Sequence, residues 1–124
     1  MKYLIYANNY LTNVAKDKQD SIKILENYKK DKVIGKAIPL HEVLKGCENI
    51  DEKICRILRE LEVDESTYTR QCKHFSIELN GDWKHVHAHC DNIITKIFKC
   101  NVIREENTWE DGSDSYGSIH TYCL

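Results

Sequence analysis

A chain of 124 residues with 41% apolar and 31% charged side chains suits one folded domain with its own core and excludes a disordered chain. Twelve Lys/Arg stand against ten Asp/Glu in residues 1–62, and six against ten in residues 63–124, for a net charge of −2. Neither half is basic enough to neutralise a row of phosphates, so the charge disfavours nucleic acid as a partner. No stretch approaches the ~18 apolar residues that a membrane span needs.

The six cysteines are Cys47, Cys55, Cys72, Cys90, Cys100 and Cys123, with no C-x-x-C pair among them. Met1-Lys2 is followed by an apolar run of only Tyr3 to Ala7, stopped by Asn8-Asn9. A secretory leader needs a longer apolar run and a small-residue cleavage site. The expectation is six free thiols in a reducing cytoplasm.

In chain order, KYLIY is a short apolar run rich in β-formers and predicts a strand. From Thr12 to Asp31 a stripe of Val14, Ile22, Leu25 and Tyr28 among Lys and Asp predicts a helix,. Gly35 breaks it, Pro39 opens a short helix over LHEVLK, and Gly46 ends that helix. Ile50, Ile54, Ile57, Leu58 and Leu61 then recur at helical spacing behind the N-cap candidate Asn49,. Residues 63–71 are polar and read as a loop.

The second half changes character. In CKHFSIEL, Phe75, Ile77 and Leu79 alternate with Ser76 and Glu78, the pattern of a half-buried strand. Asn80-Gly81 turns the chain, and Asp82 caps a predicted helix from Trp83 to Lys99. Trp83, Val86, Cys90, Ile93, Ile94 and Ile97 make its apolar stripe,. A strand over Val102 to Glu106, the turn-rich NTWEDGSDS and a last strand in YGSIHTYCL complete the chain. The expected fold is α+β: one domain, 1–124, with a mainly helical N-terminal half (1–62) packed on a C-terminal β-α-β-β sheet unit (72–124).

Chemistry concentrates in His85-Val-His87-Ala-His89-Cys90-Asp91. Its H-x-H-x-H spelling is similar to the metal loop of metallo-β-lactamase-type hydrolases. The likeness ends after seven residues, and it falls on a predicted helix in a chain too short for that family's downstream ligands. On a helix, residues i and i+4 share a face, while i and i+2 diverge by ~200°. His85 and His89 can therefore grip one ion together, and His87 is expected to pack as a hydrogen-bonded histidine beside the apolar stripe. With Cys72 and His74 upstream, His85 and His89 form a candidate zinc set in which a strand-borne pair precedes a helix-borne pair. Histidines on a helix beside a buried Cys90 need no metal at all, so the expected cofactor is none, with zinc as the alternative.

Asp111 and Asp114 offer a second set of oxygen ligands, without EF-hand spacing. The Asn80-Gly81 junction carries one glycine, and Asp82 would repel phosphate. Seven tyrosines against two phenylalanines point to an aromatic contact surface near the C-terminal hairpin, comprising Trp109, Tyr116 and Tyr122.

The leading functional expectation is a non-catalytic regulatory protein acting by protein–protein contact, with a protein partner and with homo-oligomers allowed. In composition the chain resembles phage or mobile-element accessory proteins, including inhibitors of host defence. The alternatives are a small zinc- or divalent-metal-dependent hydrolase or nuclease, and a single-stranded nucleic-acid-binding module built on sheet aromatics.

Overall fold

Asn8-Asn9 decides how the fold begins. In the computed structural model both residues have positive φ, 53° and 64°, the twist of a two-residue turn that joins antiparallel strands. Asparagine tolerates that region better than most side chains. The turn joins β1 (Tyr3–Ala7) to β2 (Tyr10–Ala15), with Leu4 opposite Val14 and Ala7 opposite Tyr10. The structure describes residues 1–81, 84–107 and 116–124, with side chains at 1–79, 87–106 and 117–124.

Asp17 then starts α1 (Lys18–Lys30), its carboxylate accepting the Asp20 amide at 2.7 Å,. Lys29 and Lys30 lie in the last turn, where cations suit the helix dipole,. The chain returns as β3 (Gly35–Pro39), antiparallel to β1, giving a three-stranded sheet in the order β2-β1-β3. Pro39, which has no N–H, ends this edge strand and leads into the one-turn helix α2 (Leu40–Val43),.

Gly35 lies under α1. A Cβ built there would stand 2.9 Å from both Leu25 Cδ2 and Tyr28 Cδ2, and 3.3 Å from the Tyr6 carbonyl oxygen. Gly35→Ala is expected to cost ~1–3 kcal/mol by overpacking. Urea unfolding measures this, and an unchanged midpoint would refute the close contact.

The helical N-terminal half expected from sequence is therefore corrected. Residues 10–15 pair with β1 instead of starting the helix, and residues 35–39 form a strand instead of a break. Val14 fits a helical stripe and a strand alternation equally well over so short a window. The Asn-Asn turn resolves the ambiguity toward a hairpin.

Two compact units make up the chain, Met1–Arg56 and Ile57–Leu124. The helix α3 (Ile50–Glu60) runs through the boundary, its Asn49 cap accepting the Glu52 amide at 2.9 Å. Ile54, Ile57, Leu58 and Leu61 are buried. Glu62, at φ 59°, stops the helix, and the Val63 amide reaches back to the Leu58 carbonyl at 2.8 Å,.

After a 3₁₀ turn at Glu65–Thr67, the second unit builds β4 (Thr69–Gln71), β5 (His74–Gly81), α4 (Lys84–Phe98), β6 (Asn101–Asn107) and β7 (Tyr116–Cys123). The sheet is antiparallel in the order β4-β5-β7-β6, so α4 carries the chain over the place later filled by β7. Phe75, Ile77 and Leu79 of β5 are buried, as are Cys90, Ile93, Ile94 and Ile97 of α4. Lys99, at φ 50°, ends the helix in the left-handed region,. Among the described residues, no helix is long and apolar enough to cross a membrane.

Candidate functional site

Helical spacing places His87, Cys90 and Asp91 on one side of α4, three and four residues apart. Strand alternation places Ser118, His120 and Tyr122 on one face of β7. These two sets meet. His87 Nδ1 lies 2.8 Å from Ser118 Oγ, and Ser118 Oγ lies 2.6 Å from His120 Nε2. His120 Nδ1 is 2.8 Å from each Asp91 oxygen, and the Tyr122 hydroxyl donates to the same carboxylate. His87, Ser118, His120 and Tyr122 are all buried. Glu105 of β6 adds a second carboxylate, 3.7 Å from His120 Nε2.

With both rings neutral, counting donors orders the hydrogens. The Asp91 carboxylate only accepts, so His120 carries its proton on Nδ1, and in the neutral ring Nε2 is then a lone pair. Ser118 must donate its single O–H to that lone pair. Its oxygen is left to accept from His87, which is therefore protonated on Nδ1 with its lone pair on Nε2. The result is a directed chain, Asp91–His120–Ser118–His87, in which each donor faces an acceptor.

His87 and Cys90 also line a cavity of about 200 Å³, whose other walls are Leu61, Glu62, Val63, Asp64, Glu78 and Leu79. Ser118 does not line it. The Ser–His–Asp connectivity is that of a nucleophilic triad, but a fully buried serine cannot meet an acyl group. Cys90 is not a nucleophile either. Burial, reinforced by the Asp91 charge, raises its thiol from 9.0 to about 11, leaving almost no thiolate at neutral pH. Burial and then the Asp91 charge push the Tyr122 phenol well above its ordinary value, so it stays a donor,. His87 is thus the one member of the hydrogen-bonded chain in the cavity wall, with its Nε2 buried.

Of the candidate zinc ligands, the described side chains of Cys72, His74 and His89 are not gathered into one set. Cys72 sits at φ 55° in the turn between β4 and β5, exposed, and not on a strand beside His74. His74 is exposed and His89 half-buried, while the His85 side chain lies outside the described residues. Among the described residues, no three His, Cys, Asp or Glu side chains gather as metal ligands. Asp111, Asp114 and Trp109 lie outside the described residues, as does the Tyr116 side chain.

Tyr122, expected on a contact surface, is fully buried and stacks on Phe75 with ring centroids 4.8 Å apart. The alternation that turns His120 inward turns Tyr122 inward as well. Neither of these two sheet aromatics is offered to a nucleobase. All six cysteines are free thiols.

Sequence reasoning assigns no role to Asp91, Ser118 and His120. Their signals are the i, i+4 spacing of His87 and Asp91 and the i, i+2 spacing of Ser118, His120 and Tyr122. Polar residues on an inward face hide from a search for apolar periodicity. Comparison with known proteins finds no matching family model, curated protein or solved structure.

Proposed function

We propose that the second unit carries an acid–base site of hydrolytic type, acting on a small molecule admitted to the cavity beside His87. The observation that carries this reading is the unbroken hydrogen-bonded chain from Asp91 to a histidine in the cavity wall. Ser118, His120 and Asp91 hold the His87 ring in one tautomer, and His87 would take a proton from an attacking water once the cavity wall opens to its Nε2, which is buried in the closed structure. Six free thiols favour a reducing cytoplasm for its place of work.

Hydrolysis of p-nitrophenyl acetate by the full chain tests the reading. His87→Gln is expected to lower the rate at least about a hundredfold, the usual contribution of a positioned general base. Equal rates in wild type and variant, with unchanged circular dichroism, would refute it.

A second reading, regulation by protein contact, is supported by β6. Every side chain from Asn101 to Glu106 is exposed, including Val102 at 38% and Ile103 at 51%. β6 is the end strand of the four-stranded sheet among the described residues, and in this reading that edge takes an added strand from a protein partner,. In that reading the chain is an accessory or inhibitory protein, and hydrogen exchange on β6 amides would slow when the partner binds.

A further inference from the structure

A cleft at the hairpin end of the first unit has chemistry opposite to that of the cavity beside His87. Its volume is about 260 Å³, and its walls are Tyr6, Asn8, Asn9, Ile34, Gly35 and Lys36. Strand pairing brings these residues together. Tyr6 is the register partner of Lys36, and Ala7 that of Gly35, so the Asn8-Asn9 turn leaves the sheet beside Ile34. Residues directly opposite on antiparallel strands share a face. The Lys36 ammonium accordingly rides over the Tyr6 ring, 5.9 Å from its centroid,. Tyr6 is 6% exposed, so that ring is a fixed wall.

The charge of the cleft has one sign. Lys36 is the one charged side chain among the lining residues, and no carboxylate stands with it there. In the segment 29–36, Lys29, Lys30, Lys32 and Lys36 outnumber Asp31, so the local field draws anions. The Asn8 and Asn9 side chains are exposed and carry N–H donors, on a turn with φ values of 53° and 64°,. Ile34, 87% exposed, is the most exposed large apolar side chain among the described residues. It gives the cleft an apolar rim beside the charge.

We propose that this cleft binds a small organic carboxylate with an apolar body, its charge on Lys36 and its body against Tyr6 and Ile34. The Asn8 and Asn9 amides supply further donors to its oxygens. A bare phosphate would leave Tyr6 and Ile34 uncovered, and an organic cation would be repelled by Lys36. The volume of about 260 Å³ lies under the ~300 Å³ at which sites for drug-sized ligands begin, so the occupant is small. Contact with the Tyr6 ring holds the lysine head at the wall beforehand, which lessens the rotamer freedom lost on binding. Lys36 is exposed, so water weakens its attraction and the expected dissociation constant is on the order of 1 mM. Every residue involved lies in Met1–Arg56, and binding here is independent of the acid–base reading of the second unit.

Benzoate is the probe, with benzamide as its uncharged match in shape and inorganic phosphate as an anion without an apolar body. Proton–nitrogen correlation NMR of the labelled full chain follows the backbone amides during each titration. Benzoate is expected to give saturable shifts centred on Asn8, Asn9, Ile34, Gly35 and Lys36. Benzamide should bind about fivefold more weakly, the share of one exposed ion pair, and so should benzoate to Lys36→Met, which keeps the apolar stem over Tyr6. Ile34→Ala should weaken benzoate at least about twofold by removing apolar contact. An absence of saturable shifts at about 20 mM benzoate would overturn the proposal. Shifts centred away from the cleft, or equal affinities for benzoate and benzamide, would do the same. Phosphate binding as tightly as benzoate would overturn the assignment of an organic ligand. Because Lys36 and Ile34 are exposed, both variants should fold, and the three wild-type titrations decide without them.

Discussion

Asp91→Ala is expected to destabilise the second unit by about 3 kcal/mol, because it removes the acceptor of two buried donors. Its carboxylate accepts from both His120 Nδ1 and the Tyr122 hydroxyl. Removal strands two buried donors, each costing ~1–3 kcal/mol. The loss stays at the low end because the Asp91 side chain is 20% exposed, so water can replace part of what is removed,. Asp91→Asn should fall between wild type and alanine, since its amide oxygen can still accept while its NH₂ confronts a donor. Urea unfolding followed by circular dichroism measures both variants. An alanine loss below about 1 kcal/mol would mean that the chain is solvated and not structural.

Phe75→Ala is the second large effect, expected at ~3–5 kcal/mol. Phe75 is 1% exposed, stacks on Tyr122 at 4.8 Å, and meets Tyr68 at 6.0 Å. Truncation leaves a cavity on β5 against the ring whose hydroxyl holds Asp91. The damage should therefore spread to the histidines, with NMR signals of His120 shifting in the folded variant. A loss under about 2 kcal/mol would indicate that neighbouring side chains collapse into the gap.

How much of the fold is legible in the sequence depends on which pattern each residue serves. Ile93, Ile94 and Ile97 declare α4 because a run of isoleucines at helical spacing fits one buried helix face, and they are buried. Phe75, Ile77 and Leu79 declare β5 by alternation, which fits one buried strand face. The first half is harder to read, because Asn8-Asn9 looks in the sequence like no more than the end of an apolar run. As a turn with both φ values positive, it makes a hairpin of the flanking residues. His87 is expected as a packed, hydrogen-bonded histidine, and that is how it lies. Its partners stay hidden because they come from β7, with Ser118 31 residues further along the chain. Local spacing says nothing about which face of a distant strand will arrive.

Cys72 is the one exposed cysteine among six, held at φ 55° at the tip of the β4–β5 turn. Left in air, a stock of this protein should age by joining two molecules at that tip before any interior sulfur reacts. Glycine suits the same backbone without a Cβ, so a single exchange there would give a longer-lived reagent and slightly ease the bend.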